Sequence, residues 1–384
     1  MPSSTRTPRE SPRQPDAAAR RAHRRAVRRH RLAALGAVAV LAGGLIAVLA
    51  GGGSTGAGRA AHRLATSARG GGQVTSPQRS ATRTTATATP PPKPPKPSAP
   101  FAVGLTVLRL VDHTRQIHLA DGATIPRTLV TYVRYPAAGP ASGTDRRHAP
   151  PARSGGPFPL IVFGHGFDVT PELYARLLQA WARAGYVVAA PGFPLATPAA
   201  PGGPTEVDLP NQPADMSFVI SQMLRASSAP SGLLTGLIAT RQIAVAGQSD
   251  GGDTALAVAY DPPYRDHRIR AAVILSGAEI PQLTPFTIQP GGPPLLATQG
   301  TADPINLPSA TSAFYDSAPA PKYLLELLGA SHLPPYSTQE PQLGVVARVS
   351  IAFLGHYLRG NPRTLKPLTK AGAAPGIASL SADP

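Results

Sequence analysis

The 384-residue sequence predicts an α/β fold: a central, mostly parallel, eight-stranded sheet flanked by helices, spanning residues 101–360. From Phe101 onward, short apolar runs alternate with segments of helical period, the texture of repeated strand–helix–strand units. Most of the strand candidates are apolar almost throughout, which suits strands covered by helices on both faces. One of them, 242–246, runs directly into a glycine-flanked turn and a following helix.

The strand candidates are, in order, 103–110, 128–135, 160–164, 186–190, 242–246, 271–275, 294–299 and 323–328. Between the third and fourth, Thr170 is positioned to cap a helix starting at Pro171. Its apolar stripe is Leu173, Leu177, Leu178 and Trp181, and Gly185 ends it. Met216, Val219, Ile220, Met223 and Leu224 repeat with the 3.6-residue period of a second helix. A third follows the glycine turn over 254–259. Val346, Val349, Phe353, Leu354 and Tyr357 form the last, stopped by Gly360. The tail, 361–384, reads as irregular.

The net charge of +17 lies almost wholly ahead of this domain. Residues 1–31 form a basic tail with ten arginines against Glu10 and Asp16, and 32–100 add five arginines and two lysines without an acid. The folded part is nearly neutral, so it carries no basic footprint for nucleic acid. Residues 32–50 contain no charge, and at about 1.5 Å per residue they just span a hydrocarbon core of about 30 Å. The arginines before them would stay in the cytoplasm. The same stretch also suits the apolar region of a secretory signal with a small-residue cleavage site after Ala50. Either reading puts the domain outside the cytoplasmic membrane, tethered in the first case and secreted in the second. Residues 51–100 are a Pro/Thr/Gly-rich stretch expected to be a disordered linker, with the proline run at 90–97 a stiff spacer. Cysteine is absent, which excludes disulfides, a thiol nucleophile and thiolate metal sites.

The segment 243–252, Ile-Ala-Val-Ala-Gly-Gln-Ser-Asp-Gly-Gly, carries the chemistry. A serine on a tight strand-to-helix turn adopts a strained backbone among crowding neighbours, and glycines two residues to either side remove the clashing Cβ atoms. Ser249 is thereby the candidate nucleophile. A hydroxyl needs a base, and the base needs an orienting acid, both expected from later strand ends with the acid first. Asp303 follows the seventh strand candidate and His332 follows the eighth. Asp261 and Asp266 are alternative acids, and His356 is an alternative base. Main-chain N–H groups must meet the oxyanion. One is that of Asp250. The loop Gly164-His165-Gly166-Phe167 supplies the other, with Phe167 as donor and His165 as a structural residue rather than a second base.

On Phe-Gly-His-Gly-Phe at 163–167, Gly-Gln-Ser-Asp-Gly-Gly at 247–252, Gly-Thr-Ala-Asp-Pro at 300–304 and Gly-Ala-Ser-His at 329–332, the chain resembles the α/β-hydrolase superfamily. The His-Gly-Phe loop, together with 211–219, is similar to its platelet-activating-factor acetylhydrolase, chlorophyllase and dienelactone-hydrolase branch. The resemblance implies an α/β-hydrolase fold, Ser249, Asp303 and His332 as triad, Phe167 and Asp250 as oxyanion donors, and a structural role for Asp215. Asp250 departs from the apolar or basic residue that many relatives carry there, so their acyl preference does not carry over.

The expected activity is a serine hydrolase cleaving small-molecule or lipid esters through an acyl-enzyme. The same intermediate serves an acyltransferase or a peptidase, and a catalytically silent cell-surface binding module would keep the same fold. This chemistry requires no cofactor, and no histidine pair or phosphate-binding glycine loop marks a metal or nucleotide site. Residues 191–211 form a Pro/Gly-rich connection beside the expected site, with Phe193, Leu195 and Phe286 as candidate pocket walls.

Overall fold

The computed structural model describes residues 100–119, 122–283 and 285–384. The basic tail, the 32–50 segment and all of the expected linker but Pro100 lie outside the described residues. Among the described residues, no helix is long and apolar enough to cross a membrane.

The strands are β1 (Ala102–His118), β2 (Thr124–Ala137), β3 (Arg146–Arg147), β4 (Phe158–Gly164), β5 (Val187–Gly192), β6 (Ile238–Gln248), β7 (Ile269–Leu275), β8 (Leu295–Gly300), β9 (Lys322–Leu327) and β10 (Ala378–Asp383). They form one sheet in the order β10-β9-β8-β7-β6-β4-β5-β2-β1-β3. From β5 through β9 every neighbouring pair is parallel. The β1–β2 hairpin joins antiparallel on β5, and β10 joins antiparallel on β9.

The sheet thus has ten strands, not eight. Each of the eight candidates corresponds to a strand, and the additions are the two-residue edge strand β3 and the C-terminal β10. The tail is also not irregular. It holds a helix at Leu365–Gly372 and then β10, which pairs along the whole of β9. Its Ala, Ser and Thr residues have little strand or core signature of their own. Main-chain pairing to β9 and the contact of Leu380 with Gly372 order them.

Helices α1 (Ala175–Arg183), α2 (Gln212–Ser228), α3 (Asp250–Tyr260), α4 (Pro308–Ser317), α5 (Pro334–Ser337), α6 (Gln342–Tyr357) and α7 (Leu365–Gly372) cover the sheet. Alternation along the strands decides which helix faces which residue. Val162, Val245 and Ile274 form one core layer with Met216 and Ile220 of α2, Leu256 of α3 and Phe314 of α4. Their neighbours Phe163, Ala246 and Leu275 form the other with Trp181 of α1, Val349 and Phe353 of α6 and Leu368 of α7. This accounts for the continuous apolar runs. Pro171–Tyr174 is a 3-10 turn ahead of α1, and the side chain of Thr170 makes no capping hydrogen bond. Gly185 closes α1 with φ +92°, a conformation glycine adopts without strain.

Candidate active site

Ser249 joins β6 to α3 and has φ +55° and ψ −128°, a region that residues with a Cβ rarely occupy. Such strain costs on the order of 1–3 kcal/mol and persists only where the surroundings enforce it. Here three backbones interlock. A Cβ on Gly247 would run into the carbonyl of Gly251, and a Cβ on Gly251 would run into Gly164. Gly164 and Gly247 are register partners across β4 and β6. The end of β4 and the turn after β6 therefore pack main chain to main chain. The amide of Ser249 donates to the carbonyl of Leu275 at 3.0 Å, fixing the turn to β7 as well.

The ends of β8 and β9 are stitched in the same way. Ala302 N–H donates to Ala330 at 3.0 Å, Gly329 N–H donates to Thr301 Oγ1 at 2.8 Å, and a Cβ on Gly300 would meet the carbonyl of Ala330. Asp303 and His332 project from these two loops. His332 Nδ1 lies 2.7 Å from Asp303 Oδ2, and His332 Nε2 lies 2.8 Å from Ser249 Oγ. All three residues are buried. The carboxylate accepts at its other oxygen from the N–H groups of Ile305 at 2.9 Å and Asn306 at 3.1 Å. Gln299 Nε2 adds a contact of 3.2 Å. An acceptor-only carboxylate facing Nδ1 places the imidazole proton there and leaves Nε2 to accept from the serine hydroxyl.

The loop after β4 passes against the turn. A Cβ on Gly166 would lie 3.2 Å from Ser249 Cβ, so the residue before Phe167 packs against the serine. Asp250 opens α3 on the other side in the chain and is buried. Two buried groups that received no role from the sequence tie this loop to the histidine. Tyr174 Oη accepts from Gly166 N–H at 3.2 Å and donates to Gln248 Oε1 at 2.7 Å, and Gln248 Nε2 donates to the carbonyl of His332 at 3.1 Å. Gln248 lies inside the motif that identified Ser249. Tyr174 carried no local signal beyond an aromatic in the first turn of an expected helix.

His165 is fully buried. It lies 2.7 Å from the carbonyl of Gly166 through Nδ1, and its Nε2 accepts from the N–H of Phe193 at 2.9 Å. That pattern requires the neutral imidazole protonated at Nδ1. Burial pushes the group down to about 4. It links the loop after β4 to the connection after β5 and does not face Ser249 as a base. Asp168, with φ +54°, is partly exposed, and its N–H extends the same link to the carbonyl of Ala196 at 2.8 Å.

The connection 193–211 is anchored by a buried guanidinium. Arg127 of β2 contacts Asp208 at 2.9 and 2.5 Å and Asp215 at 2.6 Å from each of two nitrogens. Burial opposes its charge, and the two carboxylates outweigh that and hold it protonated. Asp215 is therefore a structural acid. Of the expected pocket walls, Phe193 is instead fully buried in the core, its ring centroid 5.1 Å from that of His165. Leu195 is half-buried, and Phe286 packs on Leu209, Ala257 and Ile280. The alternative acids and base are engaged elsewhere: Asp261 with Thr287 N–H, Asp266 with Arg268, and His356 with the carbonyl of Asn361.

Residues 148–274 match the family model described as Chlorophyllase, which belongs to the α/β-hydrolase superfamily. The resemblance carried by the motifs is thus met by a family of that superfamily. The matched stretch runs from before β4 into β7 and includes the turn at Ser249, while Asp303 and His332 lie beyond it. No curated protein matches the chain.

Proposed function

We propose that this protein is a serine hydrolase that cleaves carboxylic esters through an acyl-enzyme. The reading is carried by one observation: Ser249, at a strained strand-to-helix turn, is in hydrogen-bond contact with His332, which is in contact with Asp303. The match to the Chlorophyllase family favours an ester as substrate. Ser249 Oγ attacks the acyl carbon while His332 Nε2 takes its proton. Asp303 holds the imidazole in the reactive tautomer and stabilises the imidazolium. The main-chain N–H groups of Phe167 and Asp250 receive the oxyanion. The proton passes to the departing alkoxide, and water then repeats the sequence to release the acid and restore the hydroxyl.

Hydrolysis of a short nitrophenyl ester by the full chain tests this reading. Wild type should turn over, and Ser249→Ala should fall to the background rate. Equal rates for the two would leave only the architecture. The same proposal places the domain outside the cytoplasmic membrane, on the strength of residues 32–50. N-terminal sequencing of the exported chain would begin at Gly51 for a cleaved signal and ahead of Leu32 for a retained anchor. Recovery of the protein solely from the cytoplasm would contradict both.

A further inference from the structure

Six parallel strands bring their carboxyl ends to one edge of the sheet, and Ser249, Asp303 and His332 meet there. The chain leaves that edge through residues 165–174, 193–211, the turn at 249, 276–294, 301–307 and 328–341. None of these segments contains a lysine or an arginine, although 101–384 holds 20 of them. Acids are present throughout, including Asp168, Glu206 and Glu279. These three form no salt bridge among the described residues.

Four guanidinium groups reach the segments from outside. Arg265 does so at the carbonyl of Gly291, where 276–294 has already run back to the start of β8 at the opposite edge of the sheet, and the other three are held by carboxylates. Arg115 is held by Asp112 and Asp215, Arg127 by Asp208 and Asp215, and Arg176 by Glu340. His165 is buried and neutral. Asp168 directly follows Phe167, two residues after the Gly166 that packs against Ser249, and it is partly exposed. Apolar surface accompanies it. Val207 is 75% exposed in the 193–211 connection, and Leu307 is 56% exposed four residues after Asp303.

At the edge where Ser249 lies, an arriving carboxylate or phosphate would meet these acids and no lysine or arginine of the segments themselves. Like charges about 8 Å apart at an effective dielectric of about 20 repel enough to change a binding constant roughly tenfold or more. Resting on the ester-hydrolase reading above, we propose that this site selects esters by charge: it takes uncharged or cationic esters and discriminates against those with an anionic group near the scissile bond.

Three nitrophenyl esters of equal acyl length test it, differing only in a terminal methyl, carboxylate or trimethylammonium group. Each rate is normalised to the same ester's hydroxide-catalysed rate, and the enzyme is the full chain. At low salt, kcat/KM for the methyl-ended ester should exceed that for the carboxylate-ended one by about tenfold or more, and the trimethylammonium ester should be at least as good as the methyl one. Added salt should narrow the gap, because these carboxylates are at least partly exposed. Asp168→Asn keeps a residue that tolerates positive φ and should narrow it about threefold. Val207→Lys, which adds an exposed cation to the 193–211 connection, should narrow it further. The readout is a ratio of two substrates on one enzyme, so partial misfolding of a variant cancels. Equal or faster turnover of the carboxylate ester overturns the proposal, as does a gap that neither salt nor either variant moves. Failure of wild type to hydrolyse any of the three overturns the ester-hydrolase reading itself.

Discussion

Gln248 donates from Nε2 to the main-chain carbonyl of His332, 3.1 Å away and 84 residues later in the chain. The residue before the candidate nucleophile thus holds the loop of the candidate base. Its other amide atom accepts from Tyr174, whose hydroxyl also receives Gly166 N–H. One buried chain of hydrogen bonds sets the distance between the two loops that flank Ser249.

Gln248→Glu keeps the acceptor for Tyr174 and loses the donor to His332. Gln248→Leu loses both. We expect kcat to fall about 10- to 100-fold in each, with KM within about threefold, because misplaced catalytic groups affect the transition state more than the bound substrate. Tyr174→Phe should behave alike. The double variant should fall little further than the worse single one, since both act through one chain. Steady-state kinetics on the four proteins checks this, and simple additivity would show that the two side chains act separately.

Arg127 is buried, with two carboxylates dependent on it. Arg127→Met leaves Asp208 without a cation and Asp215 with Arg115 alone, and should cost about 3–5 kcal/mol. Denaturant unfolding reads this directly. The triple variant Arg127→Met, Asp208→Asn, Asp215→Asn should recover part of the loss, because the uncompensated charges leave together. A loss below about 1 kcal/mol for Arg127→Met would show that the connection 193–211 is held by its apolar contacts alone.

His165 makes stability depend on pH in a definite direction. An imidazole in the unfolded chain titrates near 6.5, and in the folded protein burial lowers this to about 4. Between those values the unfolded chain takes up a proton that the native chain refuses. The contribution is complete above pH 6.5 and is lost as pH falls toward 4, by about 3 kcal/mol over the window. His165→Asn should therefore be less stable than wild type at pH 7, and the difference in denaturation midpoint should shrink toward pH 4.5. A difference that is constant with pH would mean that the folded chain takes up the proton as readily as the unfolded one.

The interlocked glycines admit no Cβ. Gly251→Ala would push the start of α3 away from Gly164 and move Ser249. Activity should drop at least about 100-fold, with a stability loss of about 1–3 kcal/mol from the displaced backbone. Near wild-type turnover in this variant would show that the turn is looser than its packing.

The strands of the sheet and the positions of Ser249, Asp303 and His332 could be read from the sequence because local chemistry marks them. Buried parallel strands are apolar on both faces, and each of the three residues follows such a run within a glycine-bearing loop. The support around them carries no such mark. Tyr174 and Gln248 are 74 residues apart, and Arg127 meets Asp208 across 81. A tyrosine, a glutamine or an arginine acquires these partners only through the packing of β2, β4 and β6. Strand β10 has no such mark either, because it is ordered by main-chain pairing at the sheet edge, with only Ala378 buried. Phe193 was expected to line a pocket and lies in the core, since the loop carrying it folds inward to reach His165.

The central claim is that Ser249 is a nucleophile activated by His332. Intact-mass and peptide analysis of the full chain after treatment with a fluorophosphonate tests it most directly. The account predicts a single adduct on Ser249, none in Ser249→Ala, and labelling slowed at least about 100-fold in His332→Ala. Folded wild-type protein that remains unlabelled at Ser249, or labelling as fast without the His332 imidazole, would contradict it.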